Sequence, residues 1–297
     1  MRVAVLSRCE TYYCTRRLLE QGAASGHAMQ WLPILLGWSR IGAGAPIYGL
    51  THEPLARLPE AVIARVGSFH AEFALTQLQV LEALGVRPLN TSVGIERARD
   101  KFRSLLRLSA QGLPVPHSVL VKDLDRIDTV LADLDQASGA SDVVIKPVHG
   151  AQGRGVMLAL GRTSAASVLE GLICAGQEVL VQEFLTAAVA GDQRLLVLDG
   201  AVVGAVRRRP PAGGFRSNVH RGAIAEPLAT TPAARALAVA AAGVLGLRFA
   251  GVDLVERRPG DLVVLEVNPS PGWEGLEKAT GVDVAALVMH ALAGDPA

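Results

Sequence analysis

Residues 249–268 read FAGVDLVERRPGDLVVLEVN, two apolar runs of strand length joined at Pro259-Gly260. Proline fixes φ near the value a tight turn needs, and glycine accepts the positive φ that follows, so the pair suits the centre of a turn. The two runs then pair antiparallel, in a sheet that the rest of the chain must cover. A two-residue loop sets Arg258 opposite Asp261, and counting back sets Asp253 opposite Glu266. Period-2 alternation adds Asn268 to the face of Glu266. A three- or five-residue loop would turn Asp253 to the other face, so the register is a sharp expectation. Two carboxylates and an amide oxygen on one face suit a hard divalent ion, Mg²⁺ or Mn²⁺, that also holds phosphate oxygens. The competing reading is an ordinary solvated sheet face; both strands are otherwise apolar, so the carboxylates would sit beside a core.

Elsewhere strand-like and helix-like runs alternate, the pattern of an α/β chain. RVAVLS is a first buried strand, followed by a helix ending at Gly26. AVIARVG is another strand, and FHAEFALTQLQVLEALG a helix closed by Gly85. SVGIERARDKFRSLLRLSAQG reads as one amphipathic basic helix ending at Gly112, and the prolines of LPVPHSVLV then bar a helix. An N-terminal α/β domain over 1–93 is expected to precede two α+β lobes, over 94–185 and 186–297. In the last of these, Asp199-Gly200 marks a hairpin between RLLVLDG and AVVGAVRRR.

Half of the 297 residues are apolar, enough for a substantial core, and the formal net charge is +1. That balance removes any bulk-charge argument for a nucleic-acid or membrane partner. No apolar run reaches the roughly 18–20 residues that span a bilayer. Three cysteines, Cys9, Cys14 and Cys174, form no metal-ligand pattern and read as reduced thiols, which makes the cytoplasm the expected compartment.

Two further segments could carry chemistry. In KPVHGAQGRG, Lys146 ends a strand and precedes Gly150, Gly153 and Gly155. Glycines let backbone N–H groups converge on an anion, and the lysine adds a point charge for phosphate. The spacing is neither a P-loop nor a dinucleotide fingerprint, so a plain glycine-rich hairpin is the equal alternative. RRRPPAGGFRSNVHRG, residues 207–222, carries five arginines and a histidine; phosphate, carboxylate or nucleic acid could attract it, and so could solvent alone.

In this order the lysine–glycine loop, the basic loop and Asp…Glu-x-Asn resemble the ATP-grasp ligases. The similarity is closer to the RimK-type α-L-glutamate ligases, which attach glutamate to the C-terminus of ribosomal protein S6. PLNTSVGIERARDK, KPVHGAQGRGVMLA, VQEF, FRSNVHRG, AGVDL and LEVNPSPGWEGLEKATGVDVA carry the resemblance over essentially the whole chain. It implies an ATP-grasp fold behind an N-terminal pre-ATP-grasp domain, and an enzyme that uses ATP and two divalent ions, Mg²⁺ or Mn²⁺. ATP would phosphorylate a carboxylate and an amine would attack the acyl phosphate. Lys101 and Lys146 would contact phosphate. Gln182, Glu183 and Phe184 would form the linker whose backbone reads adenine. Asp192 and Arg216, Ser217 and Asn218 would add nucleotide contacts. Asp253, Glu266 and Asn268 would ligate metal. Arg208, with Arg209 beside it, would stabilise the tetrahedral oxyanion. The partners implied are ATP, L-glutamate, an acceptor with a free C-terminal carboxylate such as ribosomal protein S6, and further copies of the chain. Ligation to another peptide, carrier-protein or coenzyme acceptor is the runner-up, and a non-catalytic ATP-binding regulator a more distant one. Residues 31–58 match nothing in the family pattern and belong to the lobe expected to shape the acceptor site.

Overall fold

The computed structural model describes residues 1–42, 44–67, 70–139, 141–148, 155–211 and 223–294. The N-terminal region contains β1 (Arg2–Ser7), α1 (Tyr13–Ala24), β2 (Ala28–Pro33), β3 (Gly37–Arg40), β4 (Ile47–Leu50), β5 (Glu53–Pro54), β6 (Ala61–Ala64), α2 (Ala71–Ala83) and β7 (Arg87–Pro88). Strands β2-β1-β6-β7 form one parallel sheet. Its strands are short apolar runs because helices cover both faces. Residues 31–58, unmatched in sequence, complete β2 and form the separate antiparallel sheet β3-β4-β5.

Two helices follow, α3 (Ser92–Arg99) and α4 (Lys101–Ala110). The sequence pattern reads as one helix, but Asp100 breaks it. Asp100 sits at extended φ/ψ and its side chain accepts from the Arg103 N–H, capping a new helix. Lys101 thereby opens α4 rather than lying mid-helix.

The middle region holds β8 (Ser118–Val121), α5 (Ile127–Ser138), β9 (Val143–Pro147), β10 (Met157–Ala159), α6 (Gly161–Cys174) and β11 (Val179–Glu183). The strands pair as β10-β9-β11-β8, and α5 and α6 bury one face of that sheet. The last region adds β12 (Asp192–Leu198), β13 (Ala201–Arg209), β14 (Ile224–Pro227), α7 (Pro232–Leu245), β15 (Phe249–Arg258), β16 (Asp261–Asn268), α8 (Glu274–Thr280) and α9 (Val284–Ala293). Its sheet runs β14-β13-β12-β15-β16. Asp199 and Gly200 both have positive φ and close the β12–β13 hairpin as the dipeptide suggests.

Alternation gives this sheet two faces. Leu195, Val197, Val252 and Leu254 pack on the alanine-rich α7, which Thr231 caps, Pro232 starts and left-handed Gly246 stops. The opposite face meets α1, α8 and α9 at one end, in a core that includes Leu196, Phe249 and Trp273. The other end of that face is polar, and the candidate site lies there. Asn90, just after β7, fixes the N-terminal sheet to it. Its side-chain amide donates to Phe249 O (2.6 Å) and Pro269 O (3.0 Å), and its oxygen accepts from the Arg248 and Phe249 N–H groups.

Candidate active site

Pro259 and Gly260 make the turn, Gly260 at φ +82°, and Arg258 pairs with Asp261. Asp253 lies opposite Glu266, as expected, but the ladder between is irregular. Arg257 is extra on β15 and Leu265 is extra on β16, so two bulges of opposite sense cancel. Arg194 on β12 pairs with Asp253 on its other side. Arg194, Asp253 and Glu266 thus form one row across three strands, and Gly251 and Asn268 form the next.

The row is strongly charged. Arg194 donates through Nε and Nη2 to the two Asp253 oxygens, both at 2.7 Å. Arg208 Nη2 reaches Asp253 Oδ2 at 2.8 Å, and the same guanidinium grips Asp192 in a bidentate pair. Burial presses the Arg208 pKa down, but the pull of Asp253 and Asp192 outweighs it and leaves it raised. Burial pushes Asp253 up, and Arg194 and Arg208 together hold it below the usual carboxylate range. For Asp192 burial prevails over Arg208, and its pKa is raised. A side chain on Gly191 would strike the Arg208 carbonyl at 2.5 Å, so glycine is what lets β12 start this close to β13.

Glu266 is exposed and has no hydrogen-bond or ion-pair partner among the described residues. Asn268 Oδ1 accepts from the Ser270 N–H at 2.9 Å and keeps a second lone pair. The all-oxygen donor set of Asp253, Glu266 and Asn268 fits a hard divalent cation. Lys146 faces this row from β9. Burial pulls its pKa to about 8, Glu266 and Asp253 draw it up, and neighbouring Lys101 presses it down. Its ammonium donates to Gln182 Oε1, and Gln182 Nε2 donates to Ser118.

Not every expected residue joins this face. Arg209 points to the other side of β13 and pairs with Glu226 at 2.7 Å. The amides of Glu183 and Phe184 already bond to His117 O and Asp142 O, and the buried Glu183 carboxylate is held by Arg257 and the His117 N–H. Gly155 has φ +72° and a Cβ there would meet Pro147 at 2.8 Å, which fixes glycine at that position. Gly150, Gly153, Arg216, Ser217 and Asn218 lie outside the described residues. Sequence reasoning missed Arg194, whose place opposite Asp253 depends on which strand lies beside β15. It also missed Asn90 and Arg65.

Lys146 thus faces the Asp253, Glu266 and Asn268 face of the last sheet from the middle one, and the fold and ligase class are those of the ATP-grasp family. The chain belongs to the RimK family: the RimK-like ATP-grasp domain matches residues 98–292 and the RimK PreATP-grasp domain residues 1–95. It is 43% identical over 289 residues, 97% of this chain and 94% of the relative, to a "Probable alpha-L-glutamate ligase" of Thioalkalivibrio sulfidiphilus. It is 42% identical over 292 residues, covering 98% and 95%, to the "Ribosomal protein bS6--L-glutamate ligase" of Salmonella paratyphi B. Among solved structures, the ATP-grasp ligase PsnB complexed with minimal precursor superposes with a TM-score of 0.77 at 22% identity, covering 99% and 98% of the two chains. A RimK domain protein of Sphaerobacter thermophilus gives 0.72 at 23% identity, covering 98% and 99%. Among the described residues no helix is long and apolar enough to cross a membrane.

Proposed function

We propose that this chain is an ATP-dependent, ADP-forming carboxylate–amine ligase that adds L-glutamate to a C-terminal carboxylate, that of ribosomal protein S6 or of a growing glutamate chain. An acceptor carboxylate oxygen attacks the γ-phosphorus of ATP and ADP leaves. The glutamate amine then attacks the acyl carbon, phosphate departs, the amine loses a proton, and an amide remains.

The observation that carries this reading is the Arg194–Asp253–Glu266 row facing Lys146, in a chain similar throughout to named glutamate ligases. Asp253, Glu266 and Asn268 would hold Mg²⁺ or Mn²⁺, which neutralises phosphate charge that grows along the reaction. Lys146 and Lys101 place ammonium charge on the same phosphates. Gln182 aims the Lys146 ammonium. Arg208, fixed by Asp192, presents a permanent cation to the face where an oxyanion would form. Arg209 lies on the other side of its strand and has no such access. Asp192, Gln182 and Arg216, Ser217 and Asn218 complete the proposed nucleotide site, while the Glu183 and Phe184 N–H groups, bonded to His117 O and Asp142 O, are taken up within the fold.

The test follows ADP release from purified protein with ATP, Mg²⁺, a peptide acceptor ending in a free carboxylate, and each amino acid in turn. Turnover with L-glutamate and product mass rising by whole glutamyl residues supports the proposal. Glu266→Ala should abolish turnover and leave thermal unfolding unchanged. ADP binding without turnover for any amino acid and acceptor would favour the regulator.

A further inference from the structure

Arg65 follows β6 at the C-terminal edge of the N-terminal parallel sheet, where its N–H still bonds to Leu6 O at 2.8 Å. Its side chain crosses to the segment after β16. Nη2 donates to Pro271 O at 2.7 Å and reaches Ser270 O at 3.4 Å, and the guanidinium carbon lies 4.6 Å from the centre of the Trp273 ring. Trp273 is 1% exposed and Phe249 packs on it edge-on at 5.6 Å, so the platform under Arg65 is rigid.

The other arginines around this centre have carboxylates. Arg194 has Asp253, Arg208 has Asp192 and Asp253, Arg257 has Glu183, and Arg17 has Glu277 and Asp283. Arg65 has none within ion-pair distance among the described residues. Backbone carbonyls and the Cys14 side chain take some of its protons without supplying a carboxylate, and burial pulls its pKa below the ordinary value although Cys14 acts the other way. Beside it, Ser270 Oγ and Trp273 Nε1 are buried with no hydrogen-bond partner among the described residues. A planar cation with no carboxylate of its own suits an anionic ligand with more than one acceptor.

The location says which anion. A Cβ on Gly251 would lie 2.8 Å from Pro271 Cβ and 3.7 Å from Arg194 Nε. Pro271, whose carbonyl takes the Arg65 guanidinium, and Arg194 therefore both border Gly251, which lies in the row behind Asp253. A carboxylate held by Arg65 would lie behind the row of proposed metal ligands, which suits one that does not react.

We propose that Arg65, stacked on Trp273, binds a non-reacting carboxylate of the amino-acid substrate and so holds its amine toward the acyl phosphate. The inference rests on the ligase reading and adds the subsite that selects an acidic or zwitterionic amine.

Arg65→Met and Arg65→Lys are compared with wild type. L-Glutamate is titrated by calorimetry into each protein with ADP and Mg²⁺ present, and KM is measured for L-glutamate and for ATP. Arg65→Met should weaken glutamate binding and raise its KM about 30-fold, the worth of one charged hydrogen-bonded pair. ADP affinity and the KM for ATP should stay within about twofold, and Arg65→Lys should fall between. L-Glutamine and L-glutamic acid α-amide, each lacking one carboxylate, identify the group. The analogue without the bound carboxylate should bind wild type and Arg65→Met equally. A glutamate affinity unchanged in Arg65→Met at intact ADP binding overturns the proposal. So does an equal loss for glutamate and both amides. If wild type turns over a different amino acid, the same dependence on Arg65 with that substrate upholds the subsite while the glutamate assignment fails.

Discussion

Lys146 offers a test of how this site trades stability for binding. Burial moves its pKa from 10.5 to about 8. That difference corresponds to a penalty of about 3 kcal/mol for keeping the ammonium charged in the folded chain at pH 7. Lys146→Met keeps most of the apolar stem and removes the charge, at the loss of the bond to Gln182, about 1 kcal/mol. The nucleotide-free variant should therefore be more stable than wild type by about 2 kcal/mol. Because the folded pKa lies below the unfolded one, the unfolded chain holds more protons between pH 8 and 10.5. The penalty is complete below about pH 8 and is relieved toward 10.5, so the advantage of the variant should shrink across that window. Urea unfolding followed by circular dichroism at neutral and alkaline pH measures both effects. ADP with Mg²⁺ at a 100-fold excess over its Kd should add about 3 kcal/mol to wild type, and markedly less to Lys146→Met. A variant less stable than wild type at pH 7 without nucleotide refutes the reasoning, because desolvation would then not govern this lysine.

Asn90→Ala removes four hydrogen bonds, three of them buried, and should cost about 3 kcal/mol or more, read as a fall in the urea midpoint at unchanged slope. Arg194 shares the Asp253 oxygens with any metal there, so Arg194→Met should tighten nucleotide-free Mn²⁺ binding about tenfold, roughly 1.4 kcal/mol. Electron paramagnetic resonance of free Mn²⁺ reads it, and weaker binding would count against Asp253 as a ligand. Gly251→Ala drives a methyl into Pro271 and should cost about 1–3 kcal/mol, with a larger fall in turnover than in ADP affinity.

The hairpin register was legible because Pro259-Gly260 specifies its turn locally. The counting succeeded although the ladder is not regular, since Arg257 and Leu265 each slip it by one in opposite directions. Periodicity cannot show such bulges. The break at Asp100 was also local, but a continuous apolar stripe hid a capping residue that reads equally as a helix-face charge. Asp192 meets Arg208 across the β12–β13 hairpin, but a register shift between Leu196 and Val197 moves that ladder by one, so counting back from Leu198 and Ala201 would set Asp192 opposite Arg207. Arg194 meets Asp253 through strands far apart in sequence, which no spacing rule exposes. Arg65 had one faint signal, a lone cation ending the apolar strand AVIA, and the carbonyls it bonds lie about 200 residues away along the chain.

The bulge at Arg257 also has a mechanical consequence. It sends that side chain to Glu183 and to Val115 O, while Val264 N–H of the same hairpin bonds to Pro114 O. The chain enters the middle sheet near residue 114 and leaves it at 183, so one hairpin pins both crossings along a single axis. Val143 pairs with Glu183 beside that axis, whereas Pro147 pairs with Val179 at the opposite end of the strand. Any rocking of the middle sheet about that axis would move Glu183 little and Lys146, three residues further along β9, more.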